Sequence, residues 1–179
     1  MRKLWIKIHL YVAAFFVPMI LVMATSGGLY LLGVKGTVAS TTVEIASPSA
    51  LSIDSGTLEQ DVRQILEANN IEHDFEYLKV SGTTLFTRPT SRLHYEFDLS
   101  GDTVVVLRNI PDLQKSMIEL HKGHGPLLFK DLQKAMALGL LIVVLSGFWL
   151  GVSSASLRLS TLAITGTGLV VFVTLVFAL

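Results

Sequence analysis

The sequence predicts an integral membrane α-helical protein with three transmembrane helices and a small α+β extracytoplasmic module, one helix on an antiparallel meander. Three observations carry this. The 179 residues have a mean hydropathy of +0.59 and only 16% charged residues, well below the usual share of about a quarter. Charge is absent from residues 8–34, 135–157 and 159–179, runs of 27, 23 and 21 residues, and each meets the need for about 20 apolar residues in a spanning helix. All 14 acids fall between Glu44 and Asp131, so the folded polar part lies between the first and second runs. The implied divisions are an anchor at 1–34, a module at 35–112, a juxtamembrane connector at 113–134 and a transmembrane hairpin at 135–179.

The first run, residues 8–34, is about 40 Å long as a helix, enough to cross with tilt. Its basic start also suits a signal peptide, but signal cores are usually about 7–15 residues, so the run reads as a retained anchor. Pro18 is expected to kink it. Arg2, Lys3 and Lys7 precede this run, and Arg158 sits in the short link between the second and third runs. Neither flank holds an acid. The positive-inside rule places both in the cytoplasm. That puts the N-terminus inside and the C-terminus outside, with residues 35–134 facing outward at a formal charge of −4. Trp5 and Trp149 then sit near the inner interface and Tyr30 near the outer one.

In the module, residues 38–49 are rich in Ser, Thr and Val and form a linker or an edge strand. Leu58, Val62, Ile65 and Leu66 recur at helical spacing, Thr57 and Gln60 suggest a capping box, and Asn69-Asn70 stops the helix. Phe75, Tyr77, Leu78 and Val80 make a strand that turns at Ser81-Gly82-Thr83 and returns over residues 84–87. Leu93, Tyr95, Phe97 and Leu99 alternate with period two, as in a half-buried strand. Ser100-Gly101-Asp102 signals a hairpin into residues 103–107. The expected sheet has three or four strands.

Three stretches together resemble the PepSY-associated transmembrane helix family. RKLWIKIHL at 2–10, followed by an apolar run and TSGGLYLL at 25–32, is similar to its first helix. YEFDLSGDTVVVL at 95–107 resembles the terminal hairpin of a PepSY module. IELHKGHGPLLFKDLQKAMALGLLIVVLSGFWLG at 118–151 resembles the approach to its next span. The resemblance implies a bacterial inner-membrane protein with a periplasmic PepSY-like module. The family typically repeats the unit twice, and this chain carries one unit and a third span without a histidine. Large members include proteins associated with siderophore-iron reduction, thought to use haem held by helix histidines, with His9 and His121 at the matching positions here.

The chain has no cysteine, which removes thiolate zinc sites, cysteine-ligated iron–sulfur clusters, thioether-linked haem and cysteine nucleophiles. Five histidines, His9, His73, His94, His121 and His124, are the candidate metal or haem ligands. His9 reads either as an interfacial side chain beside Lys7 or as a haem ligand. His121 and His124 are three apart and on a continuous helix could share a metal, but Gly123, Gly125 and Pro126 favour a loop. His73 and His94 sit among polar residues of the module and read as structural. With His9 inside and His121 outside a core of about 30 Å, the two cannot ligate one iron in one protomer. Any haem b then needs a second histidine from another copy or subunit.

Small residues mark close-packing faces: Ala24 with Gly28, Gly147 with Gly151, and Ala163 with Thr167. These serve packing within the chain or between chains. No Asp, Glu, Lys or Arg lies within an apolar run, which argues against an ion channel or proton-coupled transporter. No catalytic motif stands out. The leading expectation is a non-enzymatic PepSY-type accessory subunit. It sits in the lipid bilayer and binds a larger membrane or periplasmic partner, or a second copy, in a redox or iron-related complex. The alternative is a haem-b electron-transfer or ferric-reductase component acting as a dimer or with partners. A periplasmic protease-inhibitory or assembly module is a third. None of these involves nucleic acid.

Overall fold

The computed structural model describes residues 2–45, 51–101 and 103–177. In order, its elements are helix α1 (Arg2–Leu31), strand β1 (Val38–Val43), helix α2 (Leu58–Ala68), strands β2 (Tyr77–Ser81), β3 (Thr84–Arg88), β4 (His94–Asp98) and β5 (Val105–Pro111), then helices α3 (Leu113–His121), α4 (Leu127–Val152) and α5 (Arg158–Phe177). Helices α1, α4 and α5 are each long and apolar enough to cross a membrane. The chain divides into two compact units, Met1–Met19 with Lys134–Leu179, and Ile20–Gln133.

In the first unit, α1 and α4 approach where side chains vanish. A Cβ on Gly139 would strike the Phe16 ring, and one on Gly147 would press on His9. Gly151 receives Thr161 of α5 in the same way. Small residues thus let two backbones come close, the packing available where lipid removes the hydrophobic drive. The Arg158 Nε donates to the Val152 carbonyl at 2.9 Å, a cation satisfying the C-terminal end of α4. Helix α5 buries none of its residues. Helix α1 runs through Pro18 as one element.

The second unit is built on a five-stranded antiparallel sheet in the order β1-β5-β4-β3-β2. Strands β2 to β5 after α2 form the expected antiparallel meander, with four strands, and residues 38–43 take the edge-strand alternative, adding a fifth strand that pairs with β5, Val38 against Pro111 through Val43 against Val106. The rest of the expected linker, residues 46–49, lies outside the described residues, as does Asp102 of the expected Ser100-Gly101-Asp102 hairpin. β2 and β3 join through Gly82 and Thr83, with Gly82 at φ +59°. A positive φ at the first of two turn residues suits a hairpin twist that glycine adopts freely.

One face of the sheet carries α2. Leu58, Val62, Ile65 and Leu66 of α2 pack on Phe75, Leu85, Tyr95, Phe97 and Val106, and Leu93 and Leu99 flank them. The period-two phase of β4 is therefore as expected. Phe97, Leu85 and Val62 are fully buried, each worth about 1.5–3 kcal/mol. The capping box does not form. Thr57 is the N-cap without a side-chain cap bond, because its hydroxyl donates to the Asp61 carboxylate at 3.0 Å instead. Asn69 and Asn70 do end the helix, with Asn70 at φ +56°.

The connector contains a helix that the sequence reading left as loop. Asp112 caps α3 by accepting from the Lys115 N–H at 2.7 Å and also ties down Thr37 at 2.8 Å. Gly36, at φ +66°, has no room for a Cβ beside Lys115 and Asp112. The α1 end is a Schellman closure, with Val34 N–H to the Leu29 carbonyl at 2.9 Å and Gly33 at φ +86°. At the start of α4, the Glu76 carboxylate accepts from the Leu127 N–H at 2.6 Å, a negative charge at a helix N-terminus.

Candidate functional site

Two histidines sit in the same kind of seat. His9 projects from α1 onto α4, where its Nδ1 lies 3.0 Å from the Ser146 hydroxyl and 3.1 Å from the Val143 carbonyl oxygen. Its ring rests on Gly147, and a Cβ there would lie 3.2 Å from Cε1. His121, the last residue of α3, places its Nδ1 3.2 Å from the Ser26 hydroxyl of α1. Its ring rests on Gly27, where a Cβ would lie 3.1 Å from Cε1. A Ser-Gly step on one helix therefore receives the imidazole of another element, twice.

Counting protons fixes the tautomers. A serine hydroxyl has one hydrogen and accepts at its lone pairs. Ser146 spends its hydrogen on the Val143 carbonyl and Ser26 on the Met23 carbonyl, each at 3.1 Å. Each therefore accepts from the histidine, whose Nδ1 must carry the proton. For His9 the Val143 carbonyl independently requires this, since a carbonyl cannot donate. Nε2 of both rings makes no hydrogen bond among the described residues. An Nδ1–H held by oxygen, with Nε2 open, is how proteins orient a ligating histidine and raise its basicity.

Beside each seat is an apolar groove. One, about 470 Å³, is lined by Trp5, Ile142, Leu145, Ser146 and Trp149. The other, about 380 Å³, is lined by Ser26, Tyr30, Leu31, Ile118 and His121 among others. An imidazole Nε2 without a hydrogen-bond partner is a fitting donor to iron; His121 itself lines its groove, and Ser146, the partner of His9, lines the other, so the two histidines suit haem by donor chemistry. Each seat supplies one histidine.

The remaining histidines do other work. His124 Nδ1 donates to the Glu119 carboxylate at 2.7 Å. Helix α3 stops at His121, and Gly123 turns at φ +75°. His121 and His124 therefore have separate partners, and the pair expected to share a metal is not brought together. No group of three or more His, Asp or Glu side chains is arranged for a metal among the described residues. His73 lies 3.0 Å from the Thr87 hydroxyl and edge-on to Tyr95. His94 Nδ1 donates to the Arg92 carbonyl at 2.9 Å. Burial first, and then Arg92 for His73, holds these two rings below the ordinary histidine value.

Of the small-residue pairs, Gly147 and Gly151 sit at helix contacts, against His9 and Thr161. A Cβ on Gly28 would meet nothing within 4 Å, and Ala24 is exposed. The contact residues are their neighbours Ser26 and Gly27. Ala163 and Thr167 bond to each other along α5, hydroxyl to carbonyl at 3.0 Å, on a helix with no buried residue. Ser26 and Ser146 were missed as site residues. The readable signal was the Ser-Gly step recurring in two apolar runs, since a mid-helix serine bonds back to its own helix and keeps a lone pair for a neighbour.

A polar cluster surrounds Glu119 of α3. Its carboxylate accepts from Thr90 at 2.8 Å and His124 at 2.7 Å, with Lys115 and Lys122 at 3.3 and 3.6 Å and Arg88 at 3.9 Å. Burial alone would raise its pKa. The hydrogen bonds from His124 and Thr90 and the charge of Lys115 outweigh burial and hold it at about 2. Comparison with protein-family models, curated proteins and solved structures gives no match.

Proposed function

We propose that this chain is a membrane-anchored, PepSY-type accessory subunit of a redox or iron-related complex, and that it serves there as a haem-b electron-transfer component. The single observation supporting this is the repeated seat: His9 and His121 each bond through Nδ1 to a serine of another helix, and Ser146 and His121 each line an apolar groove. Bound haem supplies a one-electron couple. The chain's own residues do the rest. Ser146 and Val143 orient His9, Ser26 orients His121, and Gly147 and Gly27 let each ring lie flat against a backbone.

The basic flanks give the orientation, with the N-terminus cytoplasmic and the sheet module periplasmic in a bacterial inner membrane. His9 then serves the inner face and His121 the outer face. A bound haem would need a further ligand at each face from a second copy or a partner subunit. Helix α5, which buries no residue of its own, is the surface offered to that partner within the bilayer.

The test is an absorption spectrum of the full-length protein purified from membranes and titrated with haem b. A low-spin Soret band is expected, with His9→Ala and His121→Ala each removing part of it and the double variant all of it. A protein that gives no Soret band at saturating haem, or a band unchanged in the double variant, would refute haem ligation by these residues.

A further inference from the structure

The sheet has a second face. Alternation along the strands turns Leu85, Thr87, Tyr95 and Phe97 toward α2, so Phe86, Arg88, His94 and Glu96 point the other way, joined by Asn109 across the ladder from His94. Here the sheet does not pack an apolar layer. It forms a cleft of about 320 Å³ whose walls include Arg88, His94, Glu96, Asn109, Lys115 and Glu119.

Arg88 is the misfit in this cleft. Its side chain is 9% exposed, yet only Nη1 donates within hydrogen-bond distance, to the Thr90 hydroxyl at 2.7 Å. The nearest carboxylate oxygen, Oε2 of Glu119, is 3.9 Å away and already accepts from Thr90 and His124. Nε of Arg88 is buried and has no acceptor among the described residues. A guanidinium cannot relieve this by losing a proton. The Glu96 carboxylate is turned to Asn109, which donates to it at 3.0 Å and accepts from Ser40 at 2.6 Å. The chain's own acids near this cleft are therefore engaged elsewhere.

We infer that this cleft binds a carboxylate, taken by the unpaired Nε edge of the Arg88 guanidinium, with Lys115 of α3 at the rim. Nε and Nη2 present two parallel N–H groups, the spacing that a carboxylate accepts in a bidentate pair. The carboxylate belongs either to a small organic acid or to the C-terminus of a peptide. Both offer the same group, and the cleft's volume admits the end of either.

The experiment uses the full-length protein in detergent micelles, labelled with ¹⁵N in its arginines. The Arg88 Nε–H resonance is assigned by its loss in Arg88→Lys. Succinate is titrated, then a tripeptide with a free C-terminus, then the same tripeptide amidated. A saturable downfield shift of that resonance with succinate or the free tripeptide, absent with the amidated one, is expected. Saturation by succinate assigns a small acid, and saturation by the free tripeptide alone assigns a chain end. Lys115→Gln, at a side chain 30% exposed, should weaken the binding several-fold and leave the fold intact. Arg88→Lys keeps the charge and loses the fork, and because it also removes the reporting resonance its binding is read by isothermal titration calorimetry against wild type, where it should be about tenfold weaker. No shift at millimolar carboxylate, an equal shift with the amidated peptide, or saturation by inorganic phosphate in place of carboxylate would overturn the assignment.

Discussion

His9 has two oxygens to bond, the Ser146 hydroxyl and the Val143 carbonyl, whereas His121 has one, the Ser26 hydroxyl. Their mountings differ too. His9 stands within a thirty-residue helix, and His121 ends a nine-residue helix just before the turn at Gly123. The same ring chemistry is thus held redundantly in one seat and by a single bond in the other. His121 depends further on α3, which is fixed by its Asp112 cap and by the buried Glu119. One seat answers to helix packing alone, and the other answers also to the sheet module.

The largest expected effect separates them at the sheet. Phe97→Asp puts a charge in a fully buried position and should cost the module more than about 3 kcal/mol. Limited proteolysis should then open residues 51–121, and the His121 imidazole signals should broaden, while those of His9 persist. A protease pattern unchanged from wild type would contradict the packing on α2.

Acid should do the same more gradually. Glu119 takes up its proton near 2 in the folded protein against 4.5 ordinarily. Between those values the unfolded chain binds more protons, so stability is complete above about pH 4.5 and falls as pH drops toward 2, by about 3 kcal/mol in all. His73 and His94, held below 6.5 chiefly by burial, begin that loss as pH falls through 6.5. Thermal melts of the full protein from pH 8 to pH 3 should show it. Glu119→Gln should flatten the lower part of the profile.

The smallest effects compare the serines. Ser26→Ala removes the one acceptor of His121 and should cost about 1 kcal/mol. Ser146→Ala leaves His9 the Val143 carbonyl and should cost a few tenths of that. Equal shifts in melting temperature for the two variants would show that the second bond to His9 contributes nothing.

Some of this was legible in the residues. The alternation through Tyr95 and Phe97 gave the buried face of β4, and Leu58, Val62, Ile65 and Leu66 gave that of α2, because burial on one face imposes a period. Residues 38–49 could be read only as a linker or an edge strand because four of the six residues of β1 are exposed on both faces of a sheet edge, which leaves no period to decide between them. Thr57 had two acceptor and donor choices within one turn, and Asp61 won over the capping box. Helix α3 was masked by the glycines after it, although Asp112 already supplied its cap. Ala24 and Gly28 matched a packing motif, but the helix is turned so that Ser26 and Gly27 make the contact. Which stripe of an all-apolar helix meets a neighbour is set by that neighbour, so His9 and His121 could be nominated from their residue type, whereas Ser26 and Ser146 carried only the recurring Ser-Gly step. Arg88 was invisible for the same reason: only the folded sheet shows its charge buried and half-partnered.

The central claim is that both seats hold a histidine hydrogen on Nδ1, pointed at a serine oxygen. Long-range ¹H–¹⁵N correlation spectra of ¹⁵N-histidine-labelled full-length protein without haem measure this directly, with His9→Gln and His121→Gln supplying the assignments. The predicted result is a hydrogen on Nδ1 of both rings. An Nδ1 without a hydrogen in either ring would contradict it, because the serine would then have to donate to that imidazole.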